Sequence, residues 1–83
     1  MSELKDSIAQ YIGDNIMPGT PTQAILDSSS LFEDGLVDSL GLQQILVFIE
    51  SEYDVEVDED DLVPENFENV EGIVRLVSKL QAA

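Results

Sequence analysis

Leu31-Phe32-Glu33-Asp34-Gly35-Leu36-Val37-Asp38-Ser39-Leu40 joins a long polar connection to an apolar, periodic stretch. Glu33-Asp34-Gly35 is a turn signal, and Gly35 is suited to positive φ. Asp38 is a good N-cap, because its carboxylate can accept a backbone N–H of the first helical turn. Beyond it Leu42, Ile45, Leu46, Ile49 and Tyr53 recur at helical spacing. That periodicity predicts a helix over 39–53 with this stripe buried. Leu40, Val47 and Phe48 fall off the stripe, so they are exposed or face a second contact. Ser39 then stands at the first helical position behind a surface loop, its hydroxyl exposed. The free N–H groups and partial positive charge of a helix start tolerate an anionic phosphate attached there. The plainer reading of Asp-Ser before an apolar helix is an ordinary cap.

On the N-terminal side, Leu4, Ile8, Tyr11, Ile12 and Ile16 predict a helix over 2–17, with Ser2 as its cap. Pro18-Gly19 ends it, and Pro21 argues against an immediate restart. Residues 18–37 read as a long connection anchored by Ala24-Ile25-Leu26 and Leu31-Phe32, with a turn or short cap at Ser28-Ser29-Ser30. On the C-terminal side, Val55-Glu56-Val57 alternates like a strand but has no partner, so it is a connector. Asp58 to Val63 reads as one helical turn, capped by Asp58 and ended by Pro64. Asn66-Phe67 is a turn with an aromatic anchor. A last helix is predicted over 70–80, capped by Asn69, with Val70, Ile73, Val74, Val77 and Leu80 inward and Gln81-Ala82-Ala83 fraying. The fold class is all-α: a small irregular four-helix bundle, three longer helices and one short, with a long loop between the first two long helices. Residues 1–83 read as a single domain.

Composition narrows the function. Hydrophobic residues make up 43% of the 83, enough for a core. Acids outnumber bases 18 to 3, giving a net charge of −15. Every acid but Glu3 lies between Asp6 and Val74, a span without Lys or Arg. This excludes binding to a nucleic-acid backbone, which needs cations to displace counterions, and argues against an anionic membrane surface. A basic partner is the natural counterpart. The same charge predicts marginal stability at low ionic strength, improved by salt or divalent cations. With no Cys and no His, the chain lacks a thiol nucleophile, the usual general base and the usual transition-metal ligands. Met1-Ser2-Glu3-Leu4-Lys5-Asp6 has no signal-peptide apolar region, and no apolar run approaches a membrane span. A cytoplasmic location is expected.

The order of these features resembles the acyl and peptidyl carrier protein family along nearly the whole chain. The resemblance rests on Phe32-Glu33-Asp34-Gly35-Leu36 leading into Asp38-Ser39-Leu40, on the helix ending Ile49-Glu50-Ser51-Glu52-Tyr53, on Val55-Glu56-Val57, and on Pro64-Glu65-Asn66-Phe67 before the final helix. It implies that Ser39, flanked by Asp38 and Leu40, receives 4′-phosphopantetheine from coenzyme A through a phosphopantetheinyl transferase and Mg²⁺. It implies a non-catalytic, monomeric carrier of acyl or aminoacyl thioesters. Its partners would be a loading ligase or transferase and downstream condensing or tailoring enzymes. The reactive thiol is then borrowed, and the chemistry belongs to the cofactor and the partners. A tether raises the effective concentration of the carried group, and electrostatic steering gives fast encounter without tight holding.

The resemblance further implies partner docking on the loop before the serine and the helix after it. The candidates are Leu36 and Val37 just before the motif, Leu40 after the serine, and Gly41, Gln44, Val47, Glu50 and Ser51, read as the outward face of the helix. The alternative is that Leu40 and Val47 fill core gaps. Fatty-acid carriers usually have acids soon after the serine. Here Gly41, Gln43 and Gln44 stand there, and the acids concentrate at Asp54 to Asp61. That tilts the reading towards a free-standing carrier of a specialised pathway, polyketide-like or nonribosomal-peptide-like, with fatty-acid synthesis as the alternative. Cargo lying between the helices would be lined by Leu42, Leu46, Val57, Leu62, Phe67, Ile73 and Val77, although a filled core is the plainer reading of such stripes.

Two rival classes remain. Asp54, Glu56, Asp58 and Asp60 alternate like calcium ligands, but counting from Asp54 the sixth position holds Glu59 where an EF-hand loop requires Gly. Only loose divalent binding is left to the cluster. A purely interacting acidic helical adaptor satisfies the charge but leaves Asp38-Ser39-Leu40 and the long loop unexplained.

Overall fold

Ile8, Ala9 and Ile12 bury the inner face of the first helix, α1 (Ser2–Tyr11), and pin it to the core. The computed structural model describes residues 2–82, with Ser2 by its backbone alone. The cap expected of the Ser2 side chain and the fraying expected at Ala83 therefore lie outside the described residues. From Ile12 to Ile16 the helix widens into a π turn, closed by Met17 N–H donating to Ile12 C=O at 2.9 Å.

The connection after it is less open than the sequence suggests. A helix, α2 (Thr22–Asp27), starts directly behind Pro21 and buries Ile25 completely. Pro21 does not block the restart, because it precedes the first helical residue. Its missing N–H is one that a helix start leaves unpaired anyway, and its C=O accepts from Ala24 and Ile25 at 3.1 and 3.3 Å. The short fourth helix of the bundle therefore sits here. The stretch read as a short helix after Val57 supplies only a 3-10 turn at Glu59–Asp61, with Asp58 and Asp61 forming a reciprocal capping box. A second 3-10 turn covers Pro64–Asn66.

The long helix α3 (Ser39–Tyr53) begins at the Asp38 cap and ends at Asp54. Asp54 has φ 53°, the left-handed region in which Asp is one of the commoner non-glycine residues. Phe48, off the inward stripe, finds the second contact required of it: its ring stacks on Tyr11 at 4.1 Å between centroids. The last helix, α4 (Val70–Ala82), runs past the expected end at residue 80 and is capped by Asn69 Oδ1, which accepts from Gly72 N–H at 2.8 Å. Ile73 and Val77 are wholly buried, as is Leu76, which the inward stripe had not included. Ile45, Ile49, Leu31 and Phe67 complete one core shared by all four helices.

Asp61 ties the acidic connector to α4. Its side chain accepts from Lys79 Nζ at 3.1 Å and from Asp58 N–H at 3.3 Å, and its C=O accepts from Asn66 Nδ2 at 2.8 Å. The Lys79 hydrogen bond holds the Asp61 carboxyl below its ordinary value of 3.8, against the opposing effect of burial. A depressed carboxyl stabilises the fold above the unfolded-state value, and that contribution is lost as pH falls through the lower folded value. Lys79 is exposed, so solvent screening keeps the effect small. Lys79→Met is expected to move the acid-unfolding midpoint, followed by circular dichroism, to higher pH; an unmoved midpoint would show that the pair does not hold the connector.

The charge acts over the whole molecule at low salt. The molecule measures 34 × 24 × 20 Å, and at about 0.01 M salt the screening length is about 30 Å, so nearly every acid feels every other. At about 0.15 M it falls to about 8 Å and only near neighbours repel. The Tm is expected to rise across this range, and a gain of about 1 kcal/mol would appear as roughly 4–8 °C in calorimetry. A flat or falling Tm would show that repulsion among the acids does not limit the stability of the fold.

Candidate functional site

The start of α3 is built from its backbone outward. Asp38 is extended (φ −117°, ψ −171°), which turns its carboxylate back over the first helical turn. Asp38 Oδ1 accepts from Gly41 N–H at 2.8 Å, and Asp38 C=O accepts from Leu42 N–H at 2.8 Å. Ser39 and Leu40 follow as exposed residues, and their N–H groups are among those an α-helix leaves without an internal acceptor. Their dipoles supply partial positive charge beside the Ser39 hydroxyl.

The loop before the cap is fastened by Leu31. Its side chain is fully buried, its N–H donates to Glu68 C=O at 2.7 Å, and its C=O accepts from both Leu36 N–H and Val37 N–H, at 2.9 and 3.1 Å. Ser28 Oγ donates to Asp34 Oδ2 at 2.6 Å, and Gly35 takes φ 75° to close the turn. The loop is thus ordered by local bonds, while Glu33 and Asp34 stay exposed at its tip.

The outward face of α3 is smaller than the sequence implied. Leu40 and Val47 are 65% and 67% exposed, so neither fills a core gap. Gln44 and Ser51 are exposed beside them, and Leu36 is half-buried. Val37 and Gly41 do not belong to this face. Val37 is turned into the core by the two bonds to Leu31 C=O, and Gly41 is buried against Ile16. Glu50 is half-buried, its Oε2 accepting from Val57 N–H at 2.9 Å, so this acid is turned towards the connector. Six of the candidates lie on α3, and at helical spacing Leu40, Gln44, Val47 and Ser51 share one face while Gly41 and Glu50 fall at its two edges. Gly41, a poor helix former at a helix start, is the available signal of a close approach.

Beside this tip lies an open apolar groove of about 620 Å³, lined chiefly by Phe32, Leu42, Leu62, Val63, Pro64 and Phe67. Leu42 follows Ser39 by three positions, which brings the groove to the same side of α3 as the hydroxyl. Of the lining expected for cargo, Leu42, Leu62 and Phe67 reach the groove. Ile73 and Val77 are sealed in the core, and Leu46 and Val57 pack against it. The interior is therefore filled, and the free space is at the surface. Glu33, Glu65 and Glu68 border it with negative charge.

Among the described residues, no three carboxylates converge as a metal site, although acids crowd the stretch from Asp54 to Asp61. Among them also, no helix is long and apolar enough to cross a membrane.

The family model for the phosphopantetheine attachment site matches residues 3–77. The chain belongs to this family, in which 4′-phosphopantetheine is held covalently on a serine. No curated protein gives a match to the chain. The tip of α3 fits the group: an exposed hydroxyl without a hydrogen-bond partner among the described residues, beside a positively polarised helix end, suits a phosphodiester.

Proposed function

We propose that the chain is a non-catalytic carrier, a cytoplasmic monomer, that holds acyl or aminoacyl groups as thioesters on 4′-phosphopantetheine attached to Ser39. One observation carries the choice of residue. Among the serines whose side chains are described, Ser39 alone combines exposure with the first position of a long helix. Ser28 is buried and committed to Asp34, and Ser7, Ser51 and Ser78 stand inside helices.

Attachment is a phosphoryl transfer performed by a phosphopantetheinyl transferase with Mg²⁺. Ser39 Oγ attacks the β-phosphorus of coenzyme A, and an Oγ–P bond forms as the pyrophosphate bond breaks. Adenosine 3′,5′-bisphosphate leaves, and the hydroxyl proton passes to a base on the transferase. When bound, the group supplies the thiol that the chain lacks. The residues of the chain do the rest by holding position. Asp38 fixes the first turn, leaving the Ser39 and Leu40 N–H groups to face the phosphate. That helix tip is worth only about 0.3–1 kcal/mol to an anion at a surface. The surrounding acids repel coenzyme A, so the transferase and Mg²⁺ must bring the two anions together.

The exposed Leu40 and Val47 support docking on the outer face of α3 by loading enzymes and by condensing or tailoring enzymes. Gln43 and Gln44 stand where fatty-acid carriers usually place acids, and Glu50 is occupied by Val57 N–H. Both features support a specialised pathway over fatty-acid synthesis. The groove beside Leu42 is the place an apolar cargo would shelter, and its glutamate border disfavours a cargo ending in a carboxylate. The test is intact mass after incubation with coenzyme A, Mg²⁺ and a promiscuous phosphopantetheinyl transferase. One added phosphopantetheine is expected, and an unchanged mass sinks the reading.

A further inference from the structure

The end of the π turn and the start of α3 meet at a single tight point. A Cβ placed on Gly41 would stand 2.9 Å from Ile16 Cγ2, closer than carbon atoms approach without something moving. It would also stand 3.4 Å from Asp38 Oδ1 and 3.4 Å from Val37 Cγ1. The atom it meets is the branch methyl of Ile16, carried directly on Cβ, and β-branched side chains are stiff at that bond. The methyl cannot swing aside as the end of a long chain would. Gly41 also donates the N–H that Asp38 caps, at 2.8 Å. The same residue therefore bears both the cap and the seat of the helix tip. Ile16 is the last residue of the π turn, so the widened turn sets the angle at which its methyl arrives. Such turns often occur at functional sites.

We infer that Ile16 is a positioning residue for modification of Ser39: its branch methyl, delivered by the π turn, seats against Gly41 and fixes where the Ser39 hydroxyl stands. The inference rests on Ser39 being the attachment residue. Ile16 touches neither coenzyme A nor the hydroxyl; it acts through Gly41 and the first turn of α3. Val47, about two turns further along the outer face, is untouched by this contact, so that part of the docking surface does not depend on it.

The test begins with loading of the wild-type chain by transferase and coenzyme A. If that chain gains no mass, or Ser39→Ala still gains it, the underlying reading has failed and not this inference. With loading established, Gly41→Ala is expected to lower the transferase kcat by about tenfold to a hundredfold, the scale of a misplaced reacting atom. The KM for the carrier should change less than kcat, since Val47 and the later part of the docking face stay in place. Ala is the better helix former, so loss of helix is not the cause. Gly41→Ala combined with Ile16→Leu removes the branch methyl at similar volume and is expected to restore kcat to near the wild-type value. Should Gly41→Ala fail to fold by circular dichroism, Ile16→Ala unseats the tip without a clash. It should lower kcat and speed hydrogen exchange of the capped Gly41 amide at unchanged helix content. Wild-type kcat in Gly41→Ala or in Ile16→Ala, or no recovery in a folded double variant, overturns the inference.

Discussion

Ser39→Ala is expected to remain folded and to gain no mass when offered coenzyme A, Mg²⁺ and the transferase. The expectation has two parts with separate physical grounds. The fold should survive because the side chain is exposed and makes no contact that a cavity or an unpaired group would expose. The cap at this helix belongs to Asp38, through its bond to Gly41 N–H, so removing the Ser39 hydroxyl costs no capping energy. An exposed substitution of this kind usually changes stability by no more than about 0.5 kcal/mol. The chemistry should vanish because the nucleophilic oxygen is gone and the other serines are in the wrong places. Ser28 is buried, and Ser51 projects from the last turn of α3 without free N–H groups beside it. Thermal melting and intact mass, measured on the same sample, separate the two parts. Full loading of Ser39→Ala would move the attachment elsewhere while leaving the family assignment intact.

Ile73→Ala is expected to lose about 2–5 kcal/mol, the usual range for truncating a buried isoleucine. Ile73 is completely inaccessible and lies in the core where α4 meets the other helices. A chain of 83 residues holds roughly 4–12 kcal/mol in all, at about 0.05–0.15 kcal/mol per residue, and the charge presses this one to the lower end. The single truncation thus removes a large share of the total. Urea unfolding should show a lower midpoint with an unchanged slope. The result also bears on cargo. A core with room for an acyl chain would tolerate the truncation, and a loss under about 1 kcal/mol would mean that the interior around Ile73 relaxes freely. A large loss agrees with the filled interior and leaves the surface groove beside Leu42 as the available space.

Much of the site can be read along the chain because its determinants are local. Asp38 caps a residue three positions away, Gly35 turns its own backbone, and the stripe from Leu42 to Ile49 faces inward by helical period alone. Asn69 and Asp58 cap for the same reason. What escaped the sequence depends on distant partners. Pro21 looks like a barrier until Ile25 is seen to need a place in the core, which a helical turn behind the proline provides. Gly41 looks outward until Ile16, twenty-five positions earlier, is found against it. Val37 reads as a surface residue because nothing nearby announces that Leu31 C=O will accept two bonds. The Asp61–Lys79 pair spans |i−j| = 18, and no local rule selects those two from the many acids. Phe32, Val63 and Pro64 line the groove only because two separate loops come together there.

The seating of α3 at two points has a mechanical meaning. Ile16 holds it beside Gly41 near its start, and Tyr11 holds it beside Phe48 near its end, the tyrosine hydroxyl donating to Gln44 C=O at 3.4 Å between them. Two contacts spaced along a rod oppose its pivoting and its sliding. Anything hung from its exposed tip must draw its freedom of sweep from its own rotatable bonds, as a boom swings from a mast that stays upright. On the function proposed above, delivery from one enzyme to the next then needs no deformation of the polypeptide, and the reach of the load is set by the length of what is hung.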